Sequence, residues 1–430
     1  MDKTDVRYKE YIELLKSELV PAMGCTEPIS LAYAAATAKE ALGEMPISVK
    51  AYVSGNIVKN VKSVIVPNTN GAKGIPAAIA SGIVAGKPCK KLEVLSEVSS
   101  DEVLKINEFV KNVKIEVNQI DDHHVFDIQI YLYSKNHSSY VRIVDSHTNI
   151  VEIKKDDKLV EFEKSDMSCI KKCDDSISKF INEITIEEIY DFATTCDICD
   201  VKEILDRQIN YNMAIANEGM KNNYGANIGK TLIKTYGDGI YTKVKAYASA
   251  GSDARMNGCE LPVIINSGSG NQGMAASIPV IVFAQSENKT AEELYRALLI
   301  SNLSTIHIKT GIGKLSAYCG AVAAGCGSGA GICYLSGGDL KAICHTLVNA
   351  IAITSGIVCD GAKASCAAKI ASSVDAGLLG YFMYKNGNQF RDGDGIVKKG
   401  VENTINSVSK LASIGMCETD KEIIKIMLDK

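Results

Sequence analysis

Two cysteines seven positions apart, in Cys359-Asp360-Gly361-Ala362-Lys363-Ala364-Ser365-Cys366, pose the first chemical question. On one continuous helix they would share a face, but seven residues rise about 10 Å, too far for one small cluster. Asp360-Gly361 is a turn signal. A break there predicts that Cys359 ends one helix and Cys366 begins the next, over 367–384. Two thiolates then converge at a helix junction whose backbone N–H groups favour negative charge. Spacing alone favours the simpler reading, two small residues in tight helix packing.

Cys319, Cys326 and Cys333 recur at seven-residue steps in a Gly/Ala-rich run and so share one helical face. At most one of the three can reach a given cluster, and Cys326 and Cys333 read as packing residues. Cys25 sits in Pro21-Ala22-Met23-Gly24-Cys25-Thr26-Glu27-Pro28, just before an Ala-rich helix. A thiol at a helix N-terminus faces the positive end of the dipole, which predicts a lowered pKa and a base or nucleophile. The alternative is a loop thiol with no role. Ser267-Gly268-Ser269-Gly270-Asn271-Gln272-Gly273 follows a strand-like segment and precedes a helix. It predicts an anion cradle rather than a flexible turn. It lacks the spacing of a dinucleotide fingerprint and the Lys of a phosphate-binding loop. Cys196-Asp197-Ile198-Cys199 could form a zinc site only with Cys169 and Cys173, which precede it. His123, His124, His137 and His147 read as exposed, and His307 and His345 as core groups.

These residues need elements to hold them. Apolar spacing predicts helices over 7–19, 29–42, 75–84 and 102–110. Short strands are predicted over 49–53, 61–66, 91–95, 113–117, 127–133 and 140–144. Mixed helix follows from 186 to 220, and Gly/Ala-rich helices dominate from 291 onward. Roughly a third of residues 90–165 are charged against roughly an eighth of 251–380, where a quarter is usual. The expected architecture is α+β, a large Gly/Ala-rich helical catalytic core with a smaller α/β module inserted in the N-terminal half. The expected boundaries are 1–88 for the part of the core carrying Cys25, 89–165 for the charged module and 166–430 for the mainly helical core.

A net charge of −4 over 430 residues gives no electrostatic case for nucleic-acid or acidic-membrane binding. The N-terminus is charged, without the apolar segment of a signal peptide. The uncharged runs 261–286 and 315–338 are too weakly hydrophobic to read as membrane spans. A cytoplasmic protein is expected, with 14 reduced cysteines rather than a disulfide framework.

Taken in order along the chain, four motifs resemble the L-cysteine desulfidase branch of the serine dehydratase alpha-chain superfamily. They are Pro21–Pro28, Ile265–Gly273, Leu315-Ser316-Ala317-Tyr318-Cys319, and Cys359-Asp360-Gly361-Ala362 with Cys366. The resemblance implies an oxygen-sensitive [4Fe–4S] cluster on Cys319, Cys359 and Cys366, and no pyridoxal phosphate. It implies that Cys25 is the proton acceptor. The implied reaction is iron–sulfur-dependent β-elimination, L-cysteine and water giving pyruvate, ammonia and hydrogen sulfide. Ser267, Ser269, Asn271 and Gln272 would then hold the carboxylate of a small amino-acid substrate. The related activity is L-serine dehydratase, and a different class is a non-catalytic cluster-binding sensor. The close spacing of Cys359 and Cys366 and the ending Met427-Leu428-Asp429-Lys430 favour the desulfidase branch. A homo-oligomer is compatible with all of these.

Overall fold

Asp5 starts the first helix, Val6–Glu18, its carboxylate accepting from the Arg7 N–H at 2.9 Å. Tyr11, Leu14 and Leu15 are buried from it, the helical spacing expected. The structure is a computed structural model and describes residues 1–120, 124–160, 177, 179–313 and 315–427. After Leu19 the chain extends into a two-residue strand, β1 (Pro21–Ala22). It pairs antiparallel with β8 (Val263–Ile264), Pro21 opposite Ile264 and Ala22 opposite Val263. This small pairing ties two motifs more than 200 residues apart in sequence to one point in space.

The helix Thr26–Leu42 follows at once and is buried along nearly its whole length. It lies on a six-stranded sheet. The strands are β2 (Ser48–Ser54), β3 (Lys114–Ile120), β4 (Asp127–Tyr133), β5 (Ser138–Val144), β6 (Ile150–Lys155) and β7 (Lys158–Leu159). Their order across the sheet is β3-β2-β4-β5-β6-β7, and among these pairs only β2–β3 is parallel. Val49, Ala51 and Val53 alternate with Leu132, Ile130 and Ile128 across β2–β4 to form the inner face. Two hydroxyls pin helix to sheet: Ser139 donates to the Ala38 carbonyl and Ser30 to the His147 carbonyl, both at 2.7 Å.

Two strand expectations fail. Where a strand over 61–66 was expected, residue 61 ends a helix, Gly55–Val61, which buries Ile57 and Val61 four apart, and beyond it only Ile65 makes a lone bridge, to Lys73. Pro88, with no N–H to give a sheet, opens a 3-10 helix, Pro88–Glu93, where a strand over 91–95 was expected.

The rest is the helical core. Gly320–Leu335 runs through its centre, against Ala291–Ile312, Gly270–Ser286 and Cys366–Lys385. The fold is thus α+β with a helical core. Small residues set the helix spacing: a Cβ on Gly377 would lie 2.2 Å from the Gly325 carbonyl oxygen. Gly377→Ala is expected to destabilise the fold by about 1–3 kcal/mol through overpacking, read as a lower urea midpoint with unchanged slope. Among the described residues no helix is long and apolar enough to cross a membrane.

Candidate functional site

Three cysteines from two distant segments meet at the start of two core helices. Cys319 is the N-cap of Gly320–Leu335, and Cys366 is the first residue of Cys366–Lys385. Cys359 does not end a helix as expected: Leu340–Thr354 stops five residues earlier, and Cys359 lies in extended chain. The extension has a cause. Residues 357–359 pair with 317–319, the Cys319 N–H donating to Ile357 at 3.1 Å and the Cys359 N–H to Ala317 at 2.6 Å. Gly361 then turns the chain at φ +93°, packed so closely that a Cβ would lie 2.4 Å from the Lys59 carbonyl oxygen. The Cys366 thiol returns toward that turn, 3.6 Å from the Gly361 oxygen.

The three thiols lie within electrostatic reach of one another. Burial pushes Cys319 up to about 12, and the charges of Cys359 and then Cys366 add to the rise, against the Ala321 N–H. Burial also raises Cys366. Two cations face them. Lys309 is 4% exposed and is pushed down to about 8 by burial, with Cys359 and Cys319 opposing that fall and Lys59 adding to it. Lys369 donates to the Val358 carbonyl at 2.9 Å and to Asp360, and feels Cys319 and Cys366. A set of soft sulfur donors beside one buried and one half-buried cation fits an anionic thiolate-bound group. Among the described residues no group of three His, Cys, Asp or Glu could hold a single metal ion. A four-iron cluster makes a different demand, since each thiolate binds a separate iron.

Cys25 is the N-cap of Thr26–Leu42, as its position before the helix implied, but its thiol is not lowered. Burial first, then the charge of Glu27, raise it well above its usual value, outweighing the lowering by Arg255. Its thiol makes no cap hydrogen bond and instead donates to Glu27 Oε2 at 3.0 Å. Glu27 is itself buried and fixed: Asn60 donates to its other oxygen at 3.0 Å. Thr26 Oγ1 lies 3.1 Å from Glu27 Oε2 and 3.1 Å from the Gly268 carbonyl, which joins this pair to the Gly/Ser loop. Cys25 packs with Val64 and Met256, and Ala362 and Cys366 close the same cluster. The thiol–carboxylate pair therefore borders the three-cysteine site.

The Gly/Ser loop sits where a cradle was expected, at the start of Gly270–Ser286. Ser269 is its N-cap and accepts from the Gln272 N–H. Ser267, at φ +49°, donates to Asn266 Oδ1 at 2.9 Å. Gln272 donates to the carbonyls of Asn266 and Ser267, and Asn271 accepts from Arg255. Behind the loop is a buried amide network: Gln208 and Asn302 exchange two hydrogen bonds, and Asn266 donates to Asn302 at 3.0 Å. All three side chains are fully buried, so the loop is held from below.

His147 is a correction. It was expected on the surface, but it is 7% exposed. Its ring stacks edge-on against Phe126, and a Cβ on Gly268 would lie 3.0 Å from its Cε1. The sheet thereby contributes a residue to the Gly/Ser loop. Sequence reasoning also gave no role to Glu27, Asn60, Arg255 or Lys309. Glu27 lay inside a quoted motif, two residues from Cys25. The other three are distant in sequence and carry no local signal. Cys326 and Cys333 are buried packing residues, as expected. In the C-x-x-C, Cys196 is buried and Cys199 exposed; Cys169 and Cys173, like His123, lie outside the described residues. His307 and His345 are half-buried, His307 paired with Glu402 at 2.7 Å and His345 stacked on Tyr384.

The pattern of the serine dehydratase alpha chain family matches residues 89–425. A UPF0597 protein of Desulfitobacterium hafniense (strain Y51) is 56% identical, the match covering 100% of this chain and 99% of that protein. One of Lachnoclostridium phytofermentans is 49% identical over 98% of this chain and all of its own length, and one of Bacteroides thetaiotaomicron is 37% identical over 98% of each. The chain belongs to the serine dehydratase alpha chain family.

Proposed function

We propose that this chain is an iron–sulfur-dependent β-elimination lyase that converts L-cysteine and water to pyruvate, ammonia and hydrogen sulfide. The observation that carries the proposal is the convergence of Cys319, Cys359 and Cys366 beside the Cys25–Glu27 pair. In this proposal those three thiolates hold a [4Fe–4S] cluster. When bound, it would supply a Lewis-acid iron that makes the β-substituent a better leaving group.

The chain's own residues do the rest. Glu27 relieves the Cys25 thiol of its proton along their 3.0 Å hydrogen bond. The thiolate then takes the Cα proton, the freed electron pair forms the Cα–Cβ double bond, and the Cβ–S bond breaks with sulfide leaving. The released aminoacrylate tautomerises and is hydrolysed by water to pyruvate and ammonia. Asn60 holds Glu27 in register with the thiol, and the rigid Gly/Ser loop holds the substrate. Burial of Cys25 and Glu27 keeps water from competing for the proton.

The family name supports a dehydratase of L-serine as the second reading. The same base and loop would serve it, with hydroxide as leaving group. Anaerobically purified protein, assayed for iron, sulfide release from L-cysteine and pyruvate release from L-serine, tests both. Sulfide and pyruvate in equal amounts from L-cysteine, at a kcat/KM above that for L-serine, is the expected result. Preference for L-serine would overturn the substrate, and a bound cluster without turnover of either would favour a sensor.

A further inference from the structure

Burying a guanidinium without an anion is costly, so an unpaired one asks what it is kept for. Arg255, in the last turn of the helix Ile240–Met256, is 5% exposed. Among the described residues its one hydrogen bond is from Nη1 to a neutral group, Asn271 Oδ1, at 3.3 Å. Its Nε is buried and makes no hydrogen bond, and among the described residues no carboxylate is in hydrogen-bond contact with it. The group lies over the first residue of the helix Gly270–Ser286: a Cβ on Gly270 would be 2.4 Å from Nε and 2.6 Å from Cζ. That helix start is the positive end of a 17-residue dipole.

Two residues on, the opposite polarity is also left over. Gln272 is 2% exposed, and its amide nitrogen is used on the carbonyls of Asn266 and Ser267 at 3.2 and 3.4 Å. Its Oε1 is buried without a partner. That oxygen points at the residue after Cys319, since a Cβ on Gly320 would lie 2.3 Å from it. The first turn of Gly270–Ser286 thus carries an unused acceptor, and an unused cationic donor from Ile240–Met256 lies over its first residue. Arg255 is felt by Cys25, and the neighbouring Met256 packs on that thiol.

We propose that Arg255 receives an α-carboxylate and Gln272 Oε1 accepts from the α-ammonium of the same molecule, so that the site selects a small zwitterionic α-amino acid. The inference deepens the lyase reading and rests on it for the reaction, but binding does not require turnover. A carboxylate on Arg255 supplies the missing charge, and the bidentate face of the guanidinium fixes its plane. The ammonium on Gln272 satisfies its buried, unpartnered Oε1.

The test uses anaerobically prepared protein and three ligands with no leaving group: L-alanine, ethylamine, which lacks the carboxylate, and propionate, which lacks the amine. Calorimetric titration is expected to show L-alanine binding at least about tenfold tighter than either fragment. Arg255→Gln should weaken L-alanine and propionate about tenfold or more and leave ethylamine unchanged; Gln272→Leu should weaken L-alanine and ethylamine and leave propionate unchanged. Arg255→Lys, which keeps the charge, should retain part of the propionate affinity. Ethylamine binding to the unaltered protein as tightly as L-alanine would overturn the proposal. So would an Arg255 variant that loses all three ligands alike or binds L-alanine normally. If the unaltered protein shows the expected ligand order but eliminates nothing from L-cysteine or L-serine, the lyase reading fails and the zwitterion site stands.

Discussion

Cys359→Ser and Cys366→Ser are each expected to fold, to bind no stable cluster after anaerobic reconstitution, and to lose turnover by more than about 100-fold, since loss of an outer-shell partner alone costs roughly 10–100-fold. Both residues are only partly buried, in a loop and at a helix start, so exchanging sulfur for oxygen removes little packing. The effect falls on ligation, because an alcohol is a poor ligand for iron beside thiolates. Iron and acid-labile sulfide per chain, with the visible absorption of the reconstituted protein, give the readout. Cys326→Ser is the control. It changes the same atom on the same cysteine stripe, one that is fully buried in the helix Gly320–Leu335. It is expected to cost some stability and keep both iron and activity. A Cys359→Ser, Cys366→Ser double variant that retains the cluster would sink the ligand assignment.

The motifs could be read from the sequence because each one is local. Pro21–Pro28, the Gly/Ser loop and the Cys359–Cys366 segment carry their turns and caps in neighbouring residues, and all three are where a loop before a helix was expected. What joins them is not local. The β1–β8 pair and the 317–319 against 357–359 pair are two or three residues long, too short to give a periodic signal. The same limit explains the Cys359 correction, where a few hydrogen bonds between distant segments override a helical pattern. Residues 91–95 failed by turn chemistry at Pro88. His147 looked exposed because its neighbours are polar; its burial comes from Phe126 and from the Gly/Ser loop, neither adjacent in sequence.

The direction of the Cys25 pKa failed on magnitude. A helix N-terminus stabilises an anion by about 0.3–1 kcal/mol at exposed sites, whereas full burial shifts a group by up to roughly 3–5 pKa units, or several kcal/mol. With the thiol 3% exposed and a carboxylate beside it, desolvation and like charge win. This error changes the mechanism rather than removing Cys25 from it. A thiol held above its usual range cannot serve as a resting thiolate, so the base must be made on demand, and Glu27 is the group in position to make it.

Cys25→Ser is therefore expected to keep full iron and sulfide content while kcat falls by roughly 10²–10⁴-fold, the usual contribution of a positioned general base. Serine preserves the hydrogen bond to Glu27 but is much harder to deprotonate. Glu27→Gln should fall comparably with Cys25 intact, because an amide still accepts from Asn60 but cannot take the thiol proton. A helper that only shapes the loop would behave differently: Glu27→Gln would then change KM and leave kcat near its original value. Exchange of the substrate's Cα hydrogen in deuterated water separates proton abstraction from loss of the leaving group, and both variants should abolish it. An active Cys25→Ala protein would remove Cys25 from the reaction. An inactive Cys25→Ser protein that still exchanges the Cα hydrogen would move the base elsewhere, with Lys309 next in line, because burial already holds that amine down to about 8 beside Cys359 and Cys319.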